Sequence, residues 1–269
     1  MLETINRTIS FISKKIKNKP EIGIILGTGL SGLAREIKVE TTIRYEDIPN
    51  FPVSTVEGHN GNLIFGTLGN KMVIAMQGRF HYYEGYSMNQ LTFPVRVMKF
   101  MGVNRLFVSN ASGGINPEFN IGDLMVITDH INLLPNPLIG KHFSEFGPRF
   151  PDMGHAYDLE LIKKAEKIAK ENEIVLQKGC YVGVTGPTLE TPKEYDYFRK
   201  IGGDAVGMST VPEIIVARQM NMLCFAISVI TDLGVPGKIK EVSIKNIIEA
   251  AENAEPKMTL IIKKLIECL

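Results

Sequence analysis

Between two glycines the chain packs a permanent cation, an imidazole and two phenols: Gly78-Arg79-Phe80-His81-Tyr82-Tyr83-Glu84-Gly85, followed by Tyr86. The segment leaves an apolar run, Met72 to Met76, that reads as a buried strand. Arginine offers a planar fork of donors matched to a phosphate-type oxyanion, and a histidine two positions on can add a donor. If the backbone stays extended, Arg79, His81 and Tyr83 point to one side. An anion or a sugar suits such a set; a polar strand end carrying a surface arginine is the plainer reading.

Other small-residue segments sit at the ends of predicted strands. Gly27-Thr28-Gly29-Leu30-Ser31-Gly32 follows the run Ile22 to Leu26 and fits the dinucleotide fingerprint letter for letter. The stretch from Leu30 to the next strand-like segment, Thr41 to Tyr45, is barely long enough for a crossover helix. Asp47, near where a ribose-binding acid belongs, lies past that strand beside Pro49. Three readings stay open: dinucleotide binding, a phosphate-binding turn of backbone N–H groups plus the Thr28 hydroxyl, or a structural turn.

Asn110-Ala111-Ser112-Gly113-Gly114 is a second candidate oxyanion cradle, or a simple turn. Gly186-Pro187-Thr188-Leu189-Glu190-Thr191 places a carboxylate at a strand-to-helix junction; capping accounts for Thr191 but not for Glu190. In Val206-Gly207-Met208-Ser209-Thr210, Ser209 is either an N-cap or an anion ligand. Asp232, after Thr231, closes the last core strand as a cap, an ion-pair partner or a site acid. His130, His142 and His155 read as structural, and no cluster has metal-ligand spacing. With no nucleophile elbow, Ser–His–Asp set or Walker lysine, the inventory suits activation of a bound inorganic phosphate.

The elements that must position these groups follow from periodicity. Leu2, Ile5, Ile9, Ile12 and Ile16 form an amphipathic helix that Pro20 closes. Leu63 to Thr67 and Met72 to Met76 flank Gly69-Asn70 as a hairpin. Strands are predicted at Arg105 to Val108, Leu124 to Thr128, Cys180 to Val184 and Met222 to Ile230; helices at Met88 to Met101, Leu159 to Asn172, Thr191 to Ile201 and Pro212 to Met220. The stretch from Pro135 to Pro151 reads as a long functional loop. A final helix carries Ile244, Ile247, Ile248 and Ala251, then Ile261, Ile262, Leu265 and Ile266, interrupted or restarted at Pro256. Strands alternating with helices predict an α/β fold with a buried mixed sheet, in one domain over residues 1–269. Ligands of such sheets bind beyond the carboxyl ends of the strands, so the loops should converge.

The chain has 30 Lys+Arg against 29 Asp+Glu, a net charge of +1, so no electrostatic case exists for a nucleic-acid groove or an anionic membrane. Cys180, Cys224 and Cys268 are far apart and form neither a disulfide framework nor a zinc site. No apolar stretch is long enough to span a bilayer, and a cytoplasmic protein is expected.

Taken in order, Leu26 to Gly32, Glu57-Gly58-His59, Gln77 to Tyr86, Asn110 to Pro117, Gly186 to Thr191 and Val206 to Arg218 resemble the trimeric purine nucleoside phosphorylase family over nearly the whole chain. The resemblance implies a three-layer α/β phosphorylase fold around a distorted, barrel-like mixed sheet flanked by helices, assembled as a homotrimer. It implies reversible conversion of a purine (deoxy)ribonucleoside and inorganic phosphate to free base and (deoxy)ribose 1-phosphate, with no cofactor or metal. Carried over by position, Thr28, Arg79, His81, the backbone of Ala111 and Ser209 would hold phosphate. Tyr83, Met208, His59, Ile244 and a neighbour's Phe150 would meet the sugar, and Ala111, Leu189, Glu190, Val206 and Asp232 the base. The catalytic groups would be His81, Glu190 and Asp232.

This chain departs from the family pattern in several places. Thr28 replaces the more usual serine and keeps the hydroxyl, while Leu189 stands where many members have an aromatic ring. Most members specific for 6-oxopurines carry Asn at the position of Asp232; a protonated Asp could donate to N7 and accept from a 6-amino group. Ile244 replaces a histidine that commonly binds the 5′-hydroxyl and makes that pocket apolar, as in the related methylthioadenosine phosphorylases, which also share Thr and Asp at the other two positions. Inosine and guanosine are the favoured substrates, with adenosine possible through Asp232. Methylthioadenosine is the alternative substrate, and a non-catalytic or redox dinucleotide-binding protein the alternative of another class.

Overall fold

The apolar run Ile22–Leu26 forms β1, buried at all five positions, as a strand with parallel neighbours on both sides must be. The computed structural model describes residues 1–53 and 61–269. In chain order the elements are α1 (Leu2–Ser13), β1, α2 (Gly32–Arg35), β2 (Lys38–Arg44), β3 (Asn62–Leu68), β4 (Lys71–Gln77), α3 (Met88–Leu91), α4 (Phe93–Phe100), β5 (Arg105–Gly114) and β6 (Leu124–Asn132). They continue as α5 (Leu159–Glu171), β7 (Leu176–Gly183), α6 (Pro192–Lys200), β8 (Ala205–Gly207), α7 (Val211–Gln219), β9 (Leu223–Leu233) and α8 (Ile244–Glu267).

Among the described residues nine strands form one mixed sheet in the order β2-β3-β4-β1-β5-β8-β7-β6-β9, and β9 also pairs with β5. That extra pairing closes β5, β8, β7, β6 and β9 into a five-stranded barrel, with the other four strands continuing as an open wing. The barrel-like mixed sheet expected from the resemblance is therefore present. Its core holds Phe107 against Phe225, ring centroids 5.7 Å apart, across the parallel β5–β9 pair. β1 lies between β4 and β5, both parallel to it, whereas β2 pairs antiparallel with β3 at the far edge of the wing. The glycine-rich turn after β1 thus leads into a single helical turn and no β–α–β unit, which removes the dinucleotide-binding reading.

Several expected boundaries move, each for a local reason. α1 ends at Ser13 because the chain tightens: the Lys15 N–H donates to Ile12 O at 2.8 Å, and the Thr41 hydroxyl donates to the Lys15 carbonyl at 3.2 Å. The helix expected over Met88 to Met101 divides at Thr92, since Pro94 has no N–H to continue the ladder and the Thr92 hydroxyl caps Met88 O at 2.7 Å. Pro256 does not interrupt α8. It and Glu252, whose carbonyl loses its helical donor, are exposed to water, while Ala251, Ala254, Met258 and Ile262 keep the opposite stripe buried.

The segment Asn110 to Gly114, read as a loop, is the second half of β5. Its glycines permit close strand packing rather than a turn: a Cβ on Gly113 would lie 2.9 Å from Asp232 Oδ2, and one on Gly114 would lie 2.8 Å from Ile230 Cγ2. Likewise Thr231 and Asp232 lie within β9 and not beyond it.

Candidate active site

One cavity of about 350 Å³ lies beyond the carboxyl ends of β1, β4 and β5, within the ~300–1,000 Å³ usual for small-molecule sites. Thr28, Arg79, His81, Tyr83, Ala111, Leu189, Glu190, Val206, Met208, Ser209, Asp232 and Ile244 all line it. Chain segments more than 200 residues apart in sequence, from Thr28 to Ile244, thus meet around one space. Two predicted residues are not brought in. His59 lies outside the described residues, and Phe150, 88% exposed on the loop after β6, is not among the residues that line the cavity.

At one end Arg79, only 1% exposed, is the anchor. Its Nη1 donates to Ser209 Oγ at 3.0 Å, to Thr210 Oγ1 at 3.3 Å and to the Ser109 carbonyl at 3.1 Å. Its Nη2 pairs with Glu213 Oε1 at 3.2 Å, both side chains buried. Glu213, in the first turn of α7, was not singled out from sequence, where it reads as an ordinary helix-start acid. Breaking so buried a pair typically costs about 3–5 kcal/mol, so the guanidinium is held firmly.

Ser209 is aimed by an unusual backbone. Thr210 has φ +69° and ψ −53°, and the Val211 N–H donates to Ser209 O at 2.7 Å, a γ-turn that non-glycine residues rarely adopt. The Thr210 hydroxyl is gripped by Asn110 Nδ2 at 2.8 Å and by Arg79, which holds the strained residue in place. The Ser209 N–H in turn donates to the Tyr181 hydroxyl at 3.4 Å. On the facing wall Gly29 has φ +71°, and a Cβ there would lie 2.9 Å from Ala251 Cβ, so α8 is seated directly on the glycine turn that carries Thr28.

The alternation expected after β4 places Arg79 and His81 in the cavity and Phe80 in the core, with Tyr45 5.2 Å away. Tyr83 reaches the cavity differently, from a 3-10 turn over Tyr82–Glu84, and stacks on His81 at 4.8 Å with planes 13° apart. The His81 N–H (2.7 Å) and Nδ1 (3.2 Å) converge on Glu84 Oε1. A carboxylate oxygen accepts, so Nδ1 carries the hydrogen and Nε2 of the neutral ring is an acceptor. Burial lowers the His81 pKa; the hydrogen bond to Glu84 opposes this and the Arg79 charge reinforces it. Glu84 is the orienting group that spacing alone did not single out.

At the other end Glu190 and Asp232 face the cavity together. Burial raises the carboxyl pKa of Asp232, with a hydrogen bond from Thr231 opposing; Thr231 Oγ1 lies 3.0 Å from Asp232 Oδ1. Burial also raises that of Glu190; hydrogen bonds from its own backbone and from Tyr195 pull it back, and the charge of Asp232 adds to the rise. Ile244, 64% exposed at the first turn of α8, and Ile247 form an apolar wall. The cavity thus has a cationic, hydroxyl-lined end and an acidic, partly apolar end. No group of three or more His, Cys, Asp or Glu with metal-binding geometry occurs among the described residues. His130 donates or accepts at the Tyr157 hydroxyl, 3.0 Å away. No helix is long and apolar enough to cross a membrane among the described residues.

The phosphorylase superfamily signature matches residues 21–267. Purine nucleoside phosphorylase 1 of Bacillus subtilis (strain 168) is 52% identical over 267 residues, covering 99% of this chain and 98% of that protein. The purine nucleoside phosphorylase of Rattus norvegicus is 43% identical over 275 residues, covering 99% and 95%. Among solved structures, Schistosoma mansoni purine nucleoside phosphorylase in complex with adenosine superposes with a TM-score of 0.94 at 42% identity, covering 100% of this chain and 98% of that one. Isoform 2 of the Schistosoma mansoni enzyme, with cytosine and ribose-1-phosphate, gives 0.95 at 40% identity, covering 99% and 96%.

Proposed function

The chain belongs to the phosphorylase superfamily, and from that premise we propose that it is a purine nucleoside phosphorylase. It cleaves purine ribo- and deoxyribonucleosides with inorganic phosphate, reversibly, giving free base and (deoxy)ribose 1-phosphate. The observation that carries this reading is Arg79 Nη1 at 3.0 Å from Ser209 Oγ, in a cavity that Thr28 also lines. Three polar groups from separate parts of one domain thereby meet where a dianion would sit.

In this reading phosphate is held by Arg79, Ser209, Thr28, His81 and the Ala111 N–H. At neutral pH, His81 Nε2 accepts the P–OH of hydrogenphosphate, because Glu84 takes its Nδ1–H. Tyr83, Met208 and Ile244 bound the sugar, and Val206, Leu189, Glu190 and Asp232 the purine. The C1′–N9 bond breaks with its electron pair going to the purine, and a phosphate oxygen forms the new bond to C1′. Phosphate fixed beneath an oxocarbenium-like centre supplies both the compensating charge and the nucleophile. The purine leaves when its growing charge is met at N7. A protonated Asp232 is the donor for that, and its raised pKa supports the role. Inosine and guanosine suit Glu190, which accepts N1–H; adenosine is reached through Asp232. We further propose a cytoplasmic homotrimer in which each Phe150 closes a neighbour's sugar site. Its 88% exposure in the single chain is consistent with that placement.

A second reading, 5′-methylthioadenosine phosphorolysis, is favoured by the apolar wall of Ile244 and Ile247. One kinetic panel decides: inosine, guanosine, adenosine and methylthioadenosine, each with and without phosphate. Base release only with phosphate, with the highest kcat/KM for inosine or guanosine, is the expected result. Preference for methylthioadenosine would establish the second reading, and release without phosphate would defeat both.

A further inference from the structure

A second cavity, of about 120 Å³, opens between α3, α4, the C-terminal end of α7 and the loop after β6. Arg96 lines it, only 3% exposed. Every partner of this guanidinium among the described residues is neutral. Nη1 donates to Gln219 Oε1 at 3.3 Å and to Met220 Sδ at 3.9 Å, and Cζ lies 4.2 Å from the Phe146 ring centroid. Its Nε is buried without an acceptor, and no ion pair reaches Arg96 among the described residues. Burial alone draws its pKa down to about 10, the signature of a cation stripped of water without a counter-charge. Buried charges are retained when an anion meets them. The rest of the lining makes the deficit larger: Lys141 and Arg149 are there, and no Asp or Glu lines the cavity among the described residues.

We infer that this cavity binds a small tetrahedral oxyanion, of the phosphate or sulfate class, with Arg96 as its buried anchor and Lys141 at its rim. Arg149 belongs to the wall, since its Nη1 already donates to the carbonyls of Leu138 at 3.1 Å and Gly140 at 2.9 Å. Gln219 ties the floor to the loop by donating from Nε2 to Pro148 O at 3.2 Å, two residues before Phe150. An anion on Arg96 therefore bridges the Phe150 loop to the C-terminal end of α7. The opposite end of that helix carries Glu213, the partner of Arg79. The site is separate from the substrate cavity and its occupancy does not depend on the proposed reaction.

The test is equilibrium dialysis of radiolabelled inorganic phosphate against the full chain without nucleoside. Two phosphates per chain are expected for the wild type and one for Arg79→Ala, which keeps the Arg96 site. Arg96→Gln should also bind one, its second site weakened by at least about tenfold, the loss of one charge-assisted hydrogen bond. Should Arg96→Gln fail to fold, the exposed change Lys141→Glu decides: it lays a carboxylate over Arg96 and should likewise leave one phosphate. A single phosphate in the wild type would overturn the inference and make a carboxylate from a second copy of the chain the counter-charge. Two phosphates retained in Arg96→Gln or Lys141→Glu would overturn it as well. Failure of the phosphorolysis reading would instead leave Arg79→Ala binding as many phosphates as the wild type.

Discussion

In the proposed reaction, base choice turns on Asp232. It sits 7% exposed, bonded to Thr231 and 2.9 Å from where a Gly113 Cβ would be, so no larger neighbour can crowd it. Burial raises its pKa, so its protonated form, the proposed donor to N7, survives to higher pH than an exposed aspartate's would. The adenosine kcat/KM should therefore carry a limb that falls as pH rises through this titration. Asp232→Asn, which donates at every pH, should abolish that limb and move the inosine-to-adenosine ratio toward inosine by about tenfold, the scale of one buried polar mismatch. The linkage has the same sign. A folded pKa above the unfolded one contributes stability that is full below the unfolded value and lost as pH rises through the folded value. Urea midpoints of Asp232→Asn should accordingly exceed those of the wild type at alkaline pH. An unchanged pH limb and ratio would remove Asp232 from base recognition.

The turn between β8 and α7 shows what an element contributes. It aims Ser209 by forcing Thr210 to φ +69°, at a cost of about 1–3 kcal/mol that Asn110 and Arg79 offset by holding its hydroxyl. Thr210→Gly should relieve the strain while releasing the hydroxyl grip. Thermal unfolding should show unchanged or higher stability, with phosphate KM raised several-fold and nucleoside KM much less affected. Lower stability together with an unaltered phosphate KM would mean that the turn is merely tolerated. Strain of this kind is invisible in sequence, because threonine carries no signal for positive φ. Arg79, His81 and Ser209 were legible because fork chemistry, strand alternation and glycine-bearing turns are written in residue types. Glu84 and Glu213 were not, since a carboxylate in a turn or a helix start usually faces water, and only packing turns these toward His81 and Arg79. Residues 110–114 misled for the converse reason: small polar residues look like a loop, yet here they let β5 lie close against β9.

At the scale of the molecule, parallel pairing of β4, β1 and β5 sets their carboxyl ends around one space, closure of β5 onto β9 adds Asp232, and α8 lies against the Thr28 turn as the far wall. The α/β alternation predicted this architecture, but the β5–β9 closure depends on long-range pairing that local periodicity does not encode. One part of the proposed sugar site is absent from the single chain, because Phe150 does not line its own cavity. Co-expression of Arg79→Ala with Phe150→Ala should therefore restore activity that neither variant has alone, since a hybrid of the proposed trimer would pair an intact Arg79 with a neighbour's intact Phe150. No recovery, with hybrids verified by mass, would place Phe150 outside the site. Phosphate as the attacking group is tested most directly by cleaving inosine in ¹⁸O-enriched water with unlabelled phosphate and analysing the sugar product by mass spectrometry. Unlabelled ribose 1-phosphate in a one-to-one ratio with hypoxanthine is the predicted result; ribose carrying ¹⁸O at C1 would show that water, not phosphate, makes the new bond, and would contradict the account.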